Sequence, residues 1–222
     1  MSQNDLQQFY GRLKKNGRKR LTEQYGAGLS DRMVRMCHAV CRSALERAVR
    51  DDLLRTNPAI GCKLPPKKAK EMQVLDREEL QKFLIQAQAD GYYELFLLDL
   101  CTGLRRGELI ALQWEDLNFE TGVLTVNKQA YTVNGELQII PPKTKASMRK
   151  LVLPPAVLAV LREYHKKVDS RWMFPSPVKA DRPITPGVAR RRLQTILERA
   201  DCKRVRFHDC LLYTSDAADD GE

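Results

Sequence analysis

The sequence predicts a mainly α-helical (α+β) protein with a small helical first domain and an α-rich second domain that holds a three-stranded antiparallel sheet. Three observations predict this class. Apolar residues recur at spacings of three and four in several segments, whereas a period of two is confined to residues 123–153. A segment rich in proline and lysine separates the two parts. The 222 residues are 43% hydrophobic, which excludes a disordered chain.

The first domain is organised around a helix that begins after Ser30, a good N-cap. Its apolar stripe is expected to contain Val34, Cys37, Cys41, Ala44, Leu45 and Ala48. The opposite face carries Arg32, Arg35, Arg42, Arg47 and Arg50, an excess of arginine that favours phosphate contact over a solvated face. His38 is expected to point away from Cys37 and Cys41, so the cysteines are interpreted as core residues and not as zinc ligands.

Domain boundaries follow from composition. Leu64–Glu71 combines two prolines with three lysines, which is typical of a linker with cations available to a polyanion. We therefore predict a first domain at residues 1–66, a linker at 67–74 and a second domain at 75–209. Residues 210–222 switch abruptly to four acidic residues and no basic ones, so they are expected to be a non-native tail.

Helix signals open the second domain, where Asp76 and Glu79 form a capping box. Gly103 is expected to end the next helix in a left-handed conformation. Thr185 followed by proline marks another helix start. After the helix that Asp76 caps, the predicted helices are Tyr92–Thr102, Arg106–Trp114, Pro155–Lys166 and Pro186–Ala200.

The strand signals lie between these helices. Residues 123–128 alternate, Asn134-Gly135 predicts a hairpin with a type I′ turn, and Met148–Leu153 supplies a further strand. Together they predict one small three-stranded antiparallel sheet.

Charge points to a nucleic-acid partner. The chain has 38 basic and 28 acidic residues, giving +10, and the part before the tail carries +14. Nucleic acid is the commonest partner of such a surplus, although a solvated basic surface would have the same composition. The sequence shows no membrane-spanning run and no signal peptide, so a cytoplasmic protein without a membrane partner is expected.

The segment from Thr102 to Leu112 contains a short chemical motif. Arg105 and Glu108 are three residues apart, so they lie on one helical face within reach of each other. Alone, this spacing is better explained as an ion pair on a solvated helix. It is followed, however, by a hairpin, the segment Pro142-Lys143-Thr144-Lys145, the strand RKLVLP and finally Arg206-Phe207-His208-Asp209.

This order of motifs resembles the tyrosine recombinase (phage integrase) family, especially integrases of conjugative transposons, over residues 5–209. The resemblance implies a partial core-binding domain and a catalytic domain that clamp double-stranded DNA, with a higher-order synaptic assembly in the intact protein. It also implies strand cleavage through a 3′-phosphotyrosyl intermediate. Such a reaction keeps the phosphodiester energy in the covalent bond and is expected to need no cofactor and no metal.

The resemblance assigns roles to particular residues. Arg105 matches the family's first catalytic arginine, Glu108 the acidic residue that orients neighbouring cations, and His208 the histidine of the second motif. The lysine that protonates the leaving group corresponds to Lys143 or to Lys145. The DNA-binding candidates are Arg32, Arg35, Arg42, Lys67, Lys68 and Arg106.

The chain departs from the family pattern after Asp209. Cys210-Leu211-Leu212 stands where a second catalytic arginine is expected, and Tyr213 is too near His208 to be the nucleophile. The chain is therefore expected to be truncated and inactive as given. The alternative is a noncatalytic DNA-binding or regulatory protein on the same scaffold. An RNA-binding protein is disfavoured because the strands lack exposed aromatic pairs for base stacking.

Overall fold

The computed structural model describes residues 1–67, 73–142 and 148–207. The chain divides into two compact units, Met1–Glu71 and Met72–Glu222. No helix in the described ranges is both long and apolar enough to cross a membrane.

The first unit is helical and has a small core of its own. Its helices are α1 (Gln3–Asn16), α2 (Thr22–Tyr25) and α3 (Asp31–Arg50). The Ser30 hydroxyl accepts a hydrogen bond from the Met33 amide, so the predicted N-cap of α3 is confirmed. The buried residues of the core are Leu6, Tyr10, Val34, Leu45 and Ala59.

The buried stripe of α3 differs from the predicted one at two positions. His38 was expected to point away from the core and is instead buried, with its ring 5.4 Å from that of Tyr10. Ala44 was placed on the buried face and is exposed. Both differences have one cause, because the contact with α1 rotates the buried face toward Val34, His38 and Leu45.

The second unit is built on helices that enclose a single apolar core. They are α4 (Arg77–Ala89), α5 (Tyr93–Thr102), α6 (Arg106–Ile110), α7 (Pro155–His165) and α8 (Pro186–Arg199), with a 3₁₀ turn at Trp114–Asp116. Asp76 and Glu79 form the predicted capping box of α4. Thr185 caps α8 by accepting a hydrogen bond from the Val188 amide, also as predicted.

Helix α6 is shorter than the sequence predicts, since it ends at Ile110 and not at Trp114. Residues 109–112 are all buried, and Gln113 then forms an isolated antiparallel bridge with Trp172. The Trp114 amide also donates to the Arg171 carbonyl. These tertiary hydrogen bonds replace the helical ones that the local pattern favours.

Strands β1 (Val123–Val126), β2 (Gln129–Val133), β3 (Glu136–Ile140) and β4 (Arg149–Val152) form two antiparallel pairs within the described residues. The prediction of one three-stranded sheet was wrong. β2 pairs with β3 as a hairpin, whereas β1 pairs with β4 across the hairpin, with Val126 opposite Arg149. Asn134 and Gly135 have φ values of 50° and 87°, which fit the predicted type I′ turn.

Candidate functional site

The turn between α5 and α6 positions Arg105. Gly103 has φ 63° and ψ 24°, a left-handed conformation that ends α5 and redirects the chain. Leu104 is fully buried and anchors the turn in the core. Arg105 follows in an extended conformation as the residue that precedes the first turn of α6. The arginine is therefore presented from a fixed backbone, with its side chain 65% exposed.

Glu108 holds Arg105 from within the core. Its side chain is only 2% exposed, and Oε1 lies 3.2 Å from Nη1 of Arg105. Oε2 accepts a hydrogen bond from the Arg105 backbone amide at 3.1 Å. One buried carboxylate thus fixes both the backbone and the guanidinium of Arg105, which leaves the remaining N–H donors of this exposed group for a ligand.

Arg149 of β4 reaches the same carboxylate from the other side. Its Nη2 donates to Oε2 of Glu108 at 2.8 Å, although the two residues are 41 positions apart in sequence. The Arg149 side chain is 33% exposed. Arg105, Glu108 and Arg149 form what we call the arginine cluster, in which two guanidinium groups share one buried anion.

The charge of the cluster is set by these contacts. Burial would raise the pKa of Glu108, but the hydrogen bonds from Arg149 and the Arg105 amide and the two positive charges outweigh it, so the pKa is lowered. Glu108 is therefore ionised at neutral pH. Two arginines against one carboxylate leave the cluster with a net positive charge, which is suited to a phosphate.

Several predicted site residues lie outside the described residues. They are Lys68, Lys143, Lys145 and His208. Phe207, the last described residue, packs on Phe96 of α5 with ring centroids 6.1 Å apart. Arg106, the neighbour of Arg105, is half-buried and borders a separate cavity of about 550 Å³.

The other DNA-binding candidates lie on the first unit. Arg32, Arg35 and Lys67 line one open cavity of about 620 Å³, and Arg42 lines a neighbouring one. The Arg35 side chain already makes a hydrogen bond within the protein, because its Nε donates to the Pro65 carbonyl at 2.7 Å. Arg32, Arg42 and Lys67 have no acidic partner in the parts of the chain that the structure describes.

The cysteines and His38 of the first unit form no metal site. No group of three or more His, Cys, Asp or Glu side chains is arranged to hold a metal among the described residues. Burial, with the positive charges of Arg42 and Arg35, lowers the pKa of His38. His38 is therefore a neutral packing residue.

Sequence reasoning missed two polar groups of the second unit, the half-buried Arg149 and the buried Asp99. Arg149 was named only as part of a strand, although strand alternation places it on the same face as the half-buried Leu151 and could have indicated an inward contact. Asp99 of α5 is 2% exposed, and burial raises its pKa to about 8. A carboxylate within the apolar run Leu95–Leu100 was a signal that could have been followed.

Comparison with known proteins identifies a matching family and several similar proteins. The profile of the phage integrase family matches residues 73–210, more than half of the chain. The ICEBs1 integrase of Bacillus subtilis (strain 168) is 25% identical over 217 residues, covering 92% of this chain and 58% of that protein. A XerC-like tyrosine recombinase of Caldanaerobacter subterraneus is 28% identical over 177 residues, covering 73% of this chain and 42% of that protein. The chain thus spans about half the length of these curated relatives.

Solved structures share the fold. The Tn1549 transposon integrase in complex with a circular intermediate DNA superposes with a TM-score of 0.76 at 20% identity, covering 94% of this chain and 69% of that one. A lambda integrase dimer bound to a COC′ core site gives a TM-score of 0.62 at 15% identity, covering 94% of this chain and 55% of that one. The mainly α architecture with small antiparallel sheets is therefore that of known integrases.

Proposed function

Because the chain belongs to the phage integrase family, we propose that it acts in site-specific recombination of double-stranded DNA for a mobile element. One observation carries the proposal: the arginine cluster, in which a buried carboxylate presents an exposed arginine, lies within the range that matches the family. The Tn1549 and lambda integrases with the same fold were solved bound to DNA. The first unit would be a core-binding domain and the second the catalytic domain, in a cytoplasmic protein.

The proposed chemistry assigns each part of the cluster a task. Arg105 donates to the oxygens of the reacting phosphate, where negative charge grows in the transition state. Glu108 and Arg149 keep the guanidinium in position. Lys143 or Lys145 supplies the proton to the 5′-oxygen that leaves, and His208 serves in acid–base transfer. The attacking group of the intact recombinase is a tyrosine, which becomes joined to the 3′-phosphate while a 5′-hydroxyl is released; Tyr213 does not take this role.

We also propose that the intact protein works as an assembly of several copies on DNA. A lambda integrase tetramer bound to a Holliday junction has the same fold, with a TM-score of 0.63 at 14% identity. Strand exchange requires two duplexes to be cut and rejoined in one complex, so single copies would not suffice.

DNA binding is tested by fluorescence anisotropy of a labelled duplex at about 50 mM and about 200 mM salt. Each phosphate that a cation neutralises contributes about 0.9 to the slope of log K against log salt. We expect binding to weaken more than tenfold over this range. Binding that is absent or independent of salt would exclude both the recombinase and a noncatalytic DNA-binding role.

Two variants of one helix sharpen this test. Arg42→Ala removes a cation of α3 that has no acidic partner in the described ranges. Arg47→Ala is the matched control, because Nε of Arg47 already bonds both oxygens of Asp51 at 2.9 and 2.8 Å. We expect the first substitution to lower the salt slope by about one and the second to leave it nearly unchanged. Equal effects would remove α3 from the proposed DNA surface.

The sequence after Asp209 supports a further part of the proposal, namely that the chain as given forms no covalent DNA intermediate. Cys210-Leu211-Leu212 replaces the expected arginine, and Tyr213 stands only five residues beyond His208. A denaturing gel after incubation with a labelled nicked suicide duplex should show free DNA only. A protease-sensitive, slowly migrating band that disappears in Tyr213→Phe would refute this and exclude the noncatalytic alternative.

A further inference from the structure

Arg106 follows Arg105 directly but lies in different surroundings. It borders a cavity of about 550 Å³ between the first turn of α6, the β2–β3 hairpin and the start of α8. We call this space the hairpin cavity; its lining includes Arg106, Gly107, Tyr131, Thr132, Thr185 and Gly187. Arg106 is half-buried and has no carboxylate partner among the described residues, and no acidic residue lines the cavity.

An unpaired, half-buried guanidinium is costly, since it loses water without gaining a counter-ion. Arg149, the other half-buried arginine among the described residues of this unit, shows the usual solution, since it is paired with Glu108. Arg106 lacks it within the described part of the chain. The balance of charge at this position therefore favours an anionic ligand from outside the protein.

The walls of the hairpin cavity are held in place by close packing. A Cβ atom at Gly107 would lie 2.6 Å from the Ala130 carbonyl oxygen, so α6 and β2 touch backbone to backbone. On the opposite wall, the Thr185 hydroxyl already accepts a hydrogen bond from the Val188 amide. The Tyr131 hydroxyl lies 3.3 Å from Gln138 Oε1 and donates to it. The cavity is thus a formed concavity, and Arg106 in its wall has no acidic partner in the ranges that the structure describes.

We propose that the hairpin cavity binds a backbone phosphate of DNA through Arg106, separate from the phosphate that Arg105 contacts. The inference rests on the proposed DNA-binding function and names a second contact for it. A guanidinium matches the two oxygens of a phosphate in a bidentate fashion. Glycines in the lining leave room for a sugar–phosphate chain, and the absence of acids in the lining removes repulsion. Adjacent arginines would then hold one DNA strand at two points.

The test compares variants in binding to a labelled duplex at several salt concentrations. Arg106→Ala should weaken binding about tenfold at low salt and lower the salt slope by about 0.9. Arg106→Lys should keep most of the slope, because the charge remains. Arg162→Ala is the control for loss of one positive charge: its side chain bonds the Phe119 carbonyl and lies outside the hairpin cavity. We expect less than a twofold change for it.

A second pair of variants guards against misfolding of Arg106→Ala. Thr132→Glu places an anion at an exposed position that lines the cavity, whereas Val133→Glu adds the same charge to the next residue, which does not. Only Thr132→Glu should weaken binding strongly. If wild type binds duplex with a steep slope while Arg106→Ala matches Arg162→Ala, the cavity proposal is overturned and DNA binding stands. If wild type does not bind, the proposed function itself falls.

Discussion

Helices α5 and α6 each bury a carboxylate to the same extent, yet the pKa values of the two groups are shifted in opposite directions. Asp99 in α5 and Glu108 in α6 are both 2% exposed. Among the described residues, Oδ1 of Asp99 has no hydrogen-bond partner, and burial raises the pKa of Asp99 to about 8. Glu108 is contacted by two arginines, and its pKa is lowered despite burial. Depth in the core therefore does not decide whether a carboxylate is charged.

The difference in hydrogen-bond partners distinguishes a carboxyl group that only packs in the core from one that belongs to the candidate site. A protonated Asp99 is neutral at pH 7 and can remain in an apolar core at moderate cost. Glu108 stays an anion because Arg149 and Arg105 replace the water it has lost. Only the second arrangement can orient a cation for chemistry. Partners, and not burial, distinguish the candidate site from the core.

The largest expected effect comes from removing the partner of Glu108. Arg149→Ala leaves a buried carboxylate with Arg105 alone and should reduce the free energy of unfolding by about 3 kcal/mol at pH 7. Urea denaturation measures this. Lys150→Ala is the matched control, because Lys150 is the next residue of the strand and is exposed. If both substitutions cost the same, the arginine cluster does not hold the charge of Glu108.

A smaller effect is expected from Asp99. Its folded pKa of about 8 exceeds its ordinary 3.8, so the folded protein binds a proton that the unfolded chain has lost across this window, and stability falls as pH rises. Between pH 6 and pH 8 the wild type should lose about 2 kcal/mol through this group. Asp99→Asn cannot lose the proton and should show a flatter pH profile in urea denaturation. Identical profiles would mean that Asp99 is ionised when folded.

The smallest effect belongs to an exposed carboxylate that has a partner. Asp51 accepts two hydrogen bonds from Arg47, but the side chains are 44% and 72% exposed. Water screens such a pair, so a double-mutant cycle with Arg47→Ala and Asp51→Ala should give a coupling of about 0.5 kcal/mol. High salt should abolish it. A coupling as large as that between Arg149 and Glu108 would contradict the role assigned to burial.

Local signals allowed much of the fold to be predicted. The caps at Ser30, Asp76 and Thr185 each depend on residues within four positions, and all three are confirmed. The hairpin turn at Asn134-Gly135 is similarly local. The sheet prediction failed because β1 pairs with β4 across an intervening hairpin, a choice made by tertiary packing. Helix α6 was overextended for the same reason, since the pairing of Gln113 with Trp172 is a long-range contact.

In the candidate site, too, the local contact could be predicted from the sequence and the long-range contact could not. The contact of Arg105 with Glu108 follows from a spacing of three residues, so the sequence could predict it. Arg149 joins the same carboxylate from a distant strand, and no local pattern states which strand end will face α6. The roles of Lys143, Lys145 and His208 stay predictions, because these residues lie outside the described part of the chain.

The pairing of β1 with β4 has a consequence for how this region can change. The chain leaves the pair after Val126 and returns at Arg149, so everything between forms a loop closed at its base. Doubling the length of such a loop costs only about 0.6 kcal/mol in closure entropy. The part near the base is anchored, because Ala130 is buried and Lys128 bonds the side chains of Gln113 and Asp116. Residues 133–136 at the hairpin tip are exposed, so the freedom to change lies there. Insertions at this tip are expected to leave Arg105, Glu108 and Arg149 in register.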